Sequence, residues 1–285
     1  MKKFVTMLNI GNNGRLGNQI FQYIFLKIYS KLNNLEVKLP PNQNFILNKL
    51  FDLNYKSLNH FDKIEMNHFE PFFHFNKKIY SIKRNISINF NGWFQSLKYF
   101  QKYKNYVLQE LKFKKNILVQ SQKFINKYKK NNNTIIGVHI RLTDYLKIPF
   151  KNIYNNFLLD DKLRNLIFNY FQKKYKNCIF LIFSDNINFC KNNIKGNNIF
   201  YSNNNYLIDF CSLSLCDHNI ITSSTFSWWA SYLNKNIKKE IFIVKPWFQK
   251  TSKCFNMFYK DYYKNFKVEL YLKNHICYDS KNILK

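Results

Sequence analysis

Acidic residues are scarce in this chain. It has 285 residues, with 16 Asp and Glu against 45 Lys and Arg, and therefore a formal charge of +29. Such a surplus attracts polyanions: nucleic acid, anionic lipid surfaces or phosphorylated substrates. Lys, Asn, Ile, Phe and Tyr are all abundant, as expected of an AT-rich coding sequence, so part of the charge needs no partner. The 46% hydrophobic content predicts a folded protein.

Cysteine motifs and long apolar runs are also missing. The six Cys residues form no C-x-x-C pair and no metal-ligand spacing. Cys178 and Cys211 lie within apolar elements, where Cys usually behaves as a small core hydrophobe. No stretch reaches the ~18–20 uninterrupted apolar residues of a membrane span, and Asn9, Gly11 and Asn12 interrupt the apolar start that a secretory signal needs. These absences predict a cytoplasmic protein whose basic surface is able to touch the inner membrane face.

The N-terminal segment reads as strand, glycine loop and helix. Residues 4–10 are an apolar strand, the polar loop GNNGRLGNQ (11–19) follows, and apolar spacing predicts a helix over 18–32. Backbone N–H groups and the helix dipole make such a turn a possible anion site. Its glycines are spaced by threes, which is not a dinucleotide fingerprint. Close packing of the helix on the strand explains them equally well.

The middle of the chain gives weaker patterns. The sequence predicts a short strand over 36–39, a loop over 92–100 that leads into a helix continuing towards Phe113, and a second helix over about 116–129. The segment 42–90 is aromatic-rich and gives no assignable elements. The polar run 129–133 is the best candidate for a domain boundary. We therefore predict an N-terminal domain over 1–133 and a C-terminal domain over 134–285.

Strands and helices alternate regularly in the second half, and this pattern indicates a parallel α/β sheet with right-handed crossovers. The predicted strands are 135–140, 178–183, 199–201, 219–222 and 240–244, and the predicted helices are 155–175, 206–216 and the segment opened by Ser223, Ser224 and Thr225. The second half is thus expected to be a doubly wound α/β domain.

The stretch TIIGVHIRLTDY (134–145) carries polar side chains where its strand should end. His139 and Arg141 are two residues apart and share a face, and open α/β sheets bind ligands outside the carboxyl ends of their strands. An Arg there can grip a phosphate with two parallel hydrogen bonds. The alternative is a surface ion pair between Arg141 and Asp144, and the spacing leaves both open.

Two further strand ends supply polar groups. The turn Ser223–Thr225 resembles a helix N-cap, and beside a strand-end Arg it would form a diphosphate cradle of guanidinium, hydroxyls and helix N-terminus. Asp185 is placed to accept hydrogen bonds from a nucleobase or a ribose hydroxyl. Each also has a plainer role, since either can simply cap the helix that follows it.

Metal-dependent nucleotide motifs are absent from the sequence. It has no Walker A lysine loop and no convincing D-x-D, and Asp160 and Asp161 are better placed to begin a helix. If a nucleotide diphosphate is the leaving group, Arg141 and the helix N-terminus must neutralise its charge without a metal ion.

Six motifs span most of the chain in order: GRLGNQIFQY (14–23), GWFQSLKYF (92–100), HIRLTDY (139–145), SDN (184–186), DFCSLSLCDHNIITSSTFSWWASYLN (209–234) and KPWF (245–248). Together they resemble the bacterial α-1,2-fucosyltransferases (glycosyltransferase family 11). The long 209–234 block makes coincidence a poor explanation.

The resemblance implies a two-domain GT-B architecture, with two Rossmann-like domains and the donor nucleotide bound mainly by the C-terminal one. It implies metal-independent, inverting transfer of L-fucose from GDP-fucose to the 2-hydroxyl of a terminal galactoside, on an oligosaccharide or lipid-linked glycan. The N-terminal domain would then face the acceptor and the C-terminal domain would bind the GDP-sugar. No cofactor is implied.

The same resemblance assigns roles to individual residues. Arg141 matches the arginine that holds the β-phosphate, His139 the histidine beside the nucleotide, and Asp185 falls in the segment that meets the guanine. The phosphate-side turn comprises Ser223, Ser224, Thr225, Phe226 and Ser227. The loop that faces the donor from the other domain comprises Gly17, Asn18 and Gln19. Asp144 and His139 are the candidates for a general base, and either could instead orient Arg141 or bind GDP.

The match breaks at one point. The family segment reads H-x-R-R-G-D-Y, whereas Leu142 and Thr143 stand here in place of the second Arg and the Gly. The loss of a positive charge puts the strength of diphosphate binding, and the choice of donor or acceptor, in question.

Two other functions compete with this one. A glycosyltransferase of the same fold with another donor or acceptor linkage would keep the same motifs. A basic nucleic-acid-binding protein would explain the +29 charge, but no helix-turn-helix, RNP-type strand or zinc module supports it. We therefore expect no nucleic-acid partner.

Overall fold

The computed structural model describes residues 2–70, 75–82, 85–147, 151, 154, 157–245, 247, 270 and 275–279. These residues form two compact units, which divide between Lys114 and Lys115, with Leu270 in the first unit. The division lies one helix before the polar run 129–133 that the sequence suggests. The helix over 115–126 belongs to the second unit, where Ser121 Oγ donates to the carbonyl of Ile208 (3.3 Å). A helical period alone does not show which neighbour a helix packs against.

The first unit is built on a parallel sheet of five strands in the order β3-β2-β1-β5-β4. Its elements are β1 (Phe4–Thr6), α1 (Leu16–Asn33), β2 (Glu36–Leu39), α2 (Leu47–Leu50), β3 (Lys56–Ser57), β4 (Met66–Glu70), β5 (Ile88–Gly92) and α3 (Lys104–Glu110). The prediction of β2 is confirmed. The first strand ends four residues earlier than predicted. The β3 and β4 strands lie within the segment 42–90, for which the sequence predicts no elements, and β5 begins in it.

The second unit is built on a parallel sheet of six strands in the order β11-β10-β9-β6-β7-β8. Its elements are α4 (Lys115–Asn126), β6 (Thr134–Ile140), α5 (Asp161–Lys174), β7 (Cys178–Ser184), α6 (Ile187–Asn193), β8 (Ile199–Tyr201), α7 (Tyr206–Ser214), β9 (His218–Ile221), α8 (Thr225–Leu233), β10 (Ile241–Lys245) and β11 (His275–Asp279). This confirms the doubly wound α/β prediction. The sequence missed β11 and began the α5 helix too early.

The β6 strand lies at the centre of this sheet and is buried almost throughout. Its apolar residues pack with the buried face of α5, which includes Phe168 and Phe171. Gly137 admits a close approach of α7, because a Cβ there would lie 2.7 Å from a methyl group of Leu213 and 2.8 Å from the sulfur of Cys216. The strand is therefore held rigidly, and so is the point where it ends.

The structure bears on two predictions from the sequence, one about membrane-spanning segments and one about the cysteines. Within the described ranges, no helix combines the length and the apolar character that crossing a membrane requires. Cys178, Cys190, Cys211 and Cys216 are buried free thiols. Burial raises the pKa of the Cys211 thiol to about 11, which fits the predicted role of a small core residue.

Candidate active site

Three neighbouring strands of the second sheet end at one edge. In the ladder, His139 of β6 lies opposite Phe183 of β7 and Ile221 of β9. The residues that follow these strands therefore emerge side by side: Arg141 after β6, Asp185 after β7, and the serine turn after β9. The parallel topology thus brings together the polar groups that the sequence predicted at separate strand ends.

The Arg141 guanidinium is held by two carboxylates. Its Nε donates to Oδ1 of Asp144 (2.7 Å) and its Nη2 to Oδ2 (2.8 Å), a bidentate pair. Oδ2 of Asp185 lies 3.2 Å from the same Nε. The predicted ion pair with Asp144 is therefore present, but only 14% of the Arg141 side chain is exposed, so it is not an open surface pair. A planar fork fixed in this way is suited to hold an anion in one orientation.

Asp185 braces the turn that carries Arg141. Its Oδ1 accepts from the backbone N–H of Leu142 (2.8 Å), and its Oδ2 accepts from Oγ1 of Thr143 (2.5 Å). Both carboxylate oxygens are thus engaged within the chain. This arrangement supports a structural role beside the predicted one, in which Asp185 meets the nucleobase.

The two residues that break the family pattern have clear positions. Leu142 is fully buried in the hydrophobic core with Ile140 and Leu158. Thr143 supplies the hydroxyl that Asp185 accepts. Leu142 thus contributes core packing where the family has a charged Arg. The turn that carries Arg141 stays bonded to Asp185, the residue that follows β7.

His139 is buried and uncharged near neutral pH. Burial lowers its pKa well below the ordinary value, an effect that the nearby Asp185 only partly offsets and that Arg141 reinforces. Its ring stacks on Phe226 at 5.1 Å, and its Nδ1 has no hydrogen-bond partner among the described residues. A neutral imidazole with one unused nitrogen suits hydrogen bonding to a ligand better than it suits proton abstraction.

The turn before α8 presents polar groups beside this edge. Ser224 is the N-cap residue, and its side chain makes no capping hydrogen bond. The hydroxyl of Ser223 is buried without a partner among the described residues, while Ser227 Oγ donates to the Ser224 carbonyl (3.2 Å). Thr225 and Phe226 open the helix, where first-turn N–H groups have no intrahelical acceptor. Such a terminus favours an anion.

Sequence reasoning gave Tyr145 no role. Its hydroxyl donates to the carbonyl of Ser223 (2.5 Å), and the centroid of its ring lies 5.9 Å from the Arg141 guanidinium carbon. The ring also stacks on Tyr154, with centroids 4.1 Å apart and planes 2° from parallel. Sequence does not show which carbonyl the hydroxyl of this tyrosine reaches.

Asp209 is a second residue whose role the sequence does not predict. It is buried in the first turn of α7 and accepts from Ser202 Oγ. Its neighbour Phe210 meets Phe226 edge-on at 5.1 Å, and Phe226 stacks on His139. The buried Asp209 carboxyl, one residue before Phe210 on α7, is a candidate acceptor for the N–H groups of a nucleobase. The feature of the sequence that could have pointed to Asp209 is that it is an isolated acidic residue in an apolar helix.

The pKa of Asp209 leads to a prediction about stability. Burial raises this pKa to about 7, so the folded state binds a proton that the unfolded chain has already lost above about pH 4. The carboxyl therefore favours folding at low pH, and this contribution is lost as the pH rises from about 4 through 7, by roughly 4 kcal/mol in all. Asp209→Asn keeps an acceptor for Ser202 and has no such cost.

Urea unfolding at a series of pH values measures this effect. The stability gain of Asp209→Asn over the wild type should grow between pH 5 and pH 8. A gain that is independent of pH would show that Asp209 is ionised in both states.

The predicted donor loop lies in the first unit. Gly17 and Gln19 are buried near the start of α1. The Gln19 amide donates to the carbonyl of Asn44 (2.9 Å) and accepts from the N–H of Ile46 (3.0 Å), which gives it a structural role. Asn18 Oδ1 accepts from Gln95 Nε2 (3.0 Å). A role for these residues in donor binding stays a prediction.

Two glycines of this loop, Gly11 and Gly14, have φ angles in the left-handed region. Gly14 has a φ of +94°, and a Cβ there would lie 2.2 Å from the Asn18 amide nitrogen. The loop therefore depends on a residue that tolerates the left-handed region and leaves room for the Asn18 side chain.

Possible metal ligands do not gather anywhere in the part of the chain that the structure describes: no group of three His, Cys, Asp or Glu side chains is placed to hold an ion. Arg141 and the partial positive charge of the α8 N-terminus supply positive charge at the strand edge.

Comparison with known proteins identifies the family. The model of Glycosyl transferase family 11 matches residues 1–265. The chain belongs to this family. Among curated relatives, the galactoside alpha-(1,2)-fucosyltransferase 2 of Bos taurus is 27% identical over 239 residues, covering 80% of this chain and 69% of that protein.

Solved structures show the same fold as this family 11 chain. The fucosyltransferase NodZ from Bradyrhizobium superposes with a TM-score of 0.54 at 13% identity, covering 81% of this chain and 93% of that one. A mutant of Arabidopsis thaliana FUT1, in complex with GDP, gives a TM-score of 0.55 at 13% identity and covers 85% and 70%. With two parallel α/β sheets in the chain, these matches confirm the predicted GT-B fold and its two Rossmann-like domains.

Proposed function

We propose that this family 11 protein transfers L-fucose from GDP-fucose to the 2-hydroxyl of a terminal galactoside, with inversion at the anomeric carbon. The observation that carries the proposal is the Arg141 guanidinium, fixed by two carboxylates beside the start of α8. The Arg141 guanidinium and the N-terminus of α8 can both bind an anionic leaving group. GDP is such a group, because its diphosphate is negatively charged. The curated relative's printed activity, galactoside alpha-(1,2)-fucosyl transfer, supports the donor sugar and the linkage.

The reaction is a direct displacement. The acceptor hydroxyl attacks C1 of fucose, the bond from C1 to the β-phosphate oxygen breaks, and GDP leaves with the bonding electrons. Negative charge grows on the diphosphate as this bond stretches. Arg141 and the first-turn N–H groups of α8 stabilise that charge, an effect typically worth about 3 kcal/mol for each well-placed donor.

The proton of the acceptor hydroxyl needs a destination. The low pKa of His139 makes it a poor base, and both oxygens of Asp144 face Arg141. We assign Asp144 to orienting the guanidinium and His139 to contacting the nucleotide. In a loose transition state the departing phosphate carries enough charge to take the proton itself.

Arg141 and the N-terminus of α8 neutralise the charge of the leaving diphosphate, and we therefore propose a reaction that needs no metal ion.

The natural acceptor is a galactose-terminated oligosaccharide or lipid-linked glycan. Contact with the anionic inner face of a membrane is a prediction that rests on the +29 charge.

Incubation with GDP-fucose and lactose, with EDTA present, tests the function. The expected product is fucosyl-lactose with an α-1,2 linkage, identified by linkage analysis, and its rate should match that without EDTA. Another linkage would support a different acceptor specificity on the same fold. Absence of fucose transfer together with salt-sensitive binding to random DNA would support the nucleic-acid-binding alternative.

A further inference from the structure

We propose that Tyr145 is a positioning residue for the donor diphosphate, which fixes the distance between the Arg141 turn and the start of α8. The proposal rests on the proposed function in one respect, namely that the anion held at this edge is the diphosphate of GDP. Tyr145 itself is not proposed to touch the donor.

The need for such a residue follows from the sheet. The ladder between β6 and β9 ends at the pair His139 and Ile221. Arg141 and the serine turn both lie beyond that pair, so the β6–β9 ladder does not set their separation. A diphosphate contacts both at once only if this separation is fixed, because misplacing a binding group by about 1 Å can cost about a hundredfold in rate.

The Tyr145 hydroxyl supplies this connection. It donates to the Ser223 carbonyl at 2.5 Å, between residues 78 positions apart in the sequence. Burial raises the pKa of Tyr145 well above its ordinary value, so the hydroxyl stays protonated and remains a donor. The acceptor belongs to the peptide that leads into Ser224, the N-cap of α8.

The ring holds the hydroxyl in place. One neighbour is Tyr154, stacked at 4.1 Å, and another is the Arg141 guanidinium at 5.9 Å from the ring centroid. Asp185 ties the same turn to the end of β7 through Leu142 and Thr143. The Arg141 turn is thus anchored to the strands on both sides, by a carboxylate on one and by a tyrosine on the other.

Tyr145→Phe tests the proposal, because it keeps the ring and removes only the hydroxyl. We expect the Kd for GDP to rise about tenfold or more, measured by calorimetry well below the melting temperature. We also expect kcat/KM for GDP-fucose to fall by a similar factor, with the acceptor KM unchanged. Tyr170→Phe is the matched control, since its hydroxyl bonds to Glu240 (3.4 Å) at the amino end of β10. The control should keep wild-type GDP affinity.

A Tyr145→Phe protein that binds GDP and turns over within twofold of the wild type would overturn the proposal, whatever its melting temperature. If that variant does not fold, Tyr154→Ala and Tyr154→Phe decide instead. Removal of the stacked ring should weaken GDP binding, and removal of the Tyr154 hydroxyl alone should weaken it less. If Tyr154→Ala and Tyr154→Phe both bind GDP with wild-type affinity, the proposal is overturned. Wild-type turnover of GDP-fucose tests the function separately, so the two failures are distinguishable.

Discussion

Arg141→Ala is expected to reduce turnover of GDP-fucose by a factor of about a thousand or more. The substitution removes the guanidinium that stabilises the leaving diphosphate, and one lost donor of this kind typically costs about 10²–10³ in kcat. It also leaves Asp144 and Asp185 without the cation that both of them face, and these carboxylates then repel the donor. Arg141→Lys should recover only part of the activity, because a Lys lacks the planar fork.

Arg164→Ala is the matched control for this loss. Arg164 is also buried and pairs with the aspartate three residues before it, Asp161 (2.6 Å), but on α5. The control should lose stability and keep its KM for GDP-fucose. Near-normal turnover in a folded Arg141→Ala protein would rule out the phosphate-binding assignment.

Asp185→Asn is expected to lower nucleotide affinity about tenfold, and to lower it equally for GDP and for IDP. Its carboxylate accepts from Leu142 and Thr143 and forms an ion pair with Arg141. An Asn presents its amide N–H groups to at least one of these donors, and the Arg141 turn then shifts for any nucleoside diphosphate. IDP lacks the 2-amino group of guanine, so the ratio of the two affinities reports contact with the base.

Asp209→Asn is the matched carboxylate variant. If Asp209 accepts the N–H groups of guanine, its substitution should reduce the preference for GDP over IDP and leave the Arg141 turn intact. Calorimetric titration of both variants with both nucleotides separates the roles. A selective loss of GDP preference in Asp185→Asn would instead support the guanine contact that the family resemblance implies for Asp185.

The fold of the second unit was predictable because its strands are buried on both faces. Such strands appear as continuous apolar runs, as in Cys178–Ser184. The first unit was harder. Its β4 strand, Met66–Glu70, lies at a sheet edge and alternates between half-buried and exposed residues up to the buried Glu70, and β3 has two residues. Short edge strands carry little apolar signal, so the segment 42–90 stayed unassigned.

Some residues of the candidate site could be predicted from the sequence, and others could not. Strand-end residues such as His139 and Arg141 were identifiable, because a change from apolar to polar residues marks a strand terminus. Partners across the sheet were not, because Tyr145 and Ser223 are 78 residues apart. Asp185 braces the Arg141 turn, whereas Asp209 is buried and accepts from Ser202. This difference also depends on packing that the sequence does not show.

The amino-acid sequence by itself determined the family, the α/β class and the arginine at the strand end, since these follow from local order, hydrophobic pattern and motif. Tertiary structure decided what surrounds that arginine. It placed Leu142 in the core, Thr143 on Asp185 and the Tyr145 hydroxyl on the Ser223 carbonyl. The physical reason is that side-chain hydrogen bonds between strands depend on register and on the direction of each chain after its strand ends. Both are set only when the sheet assembles.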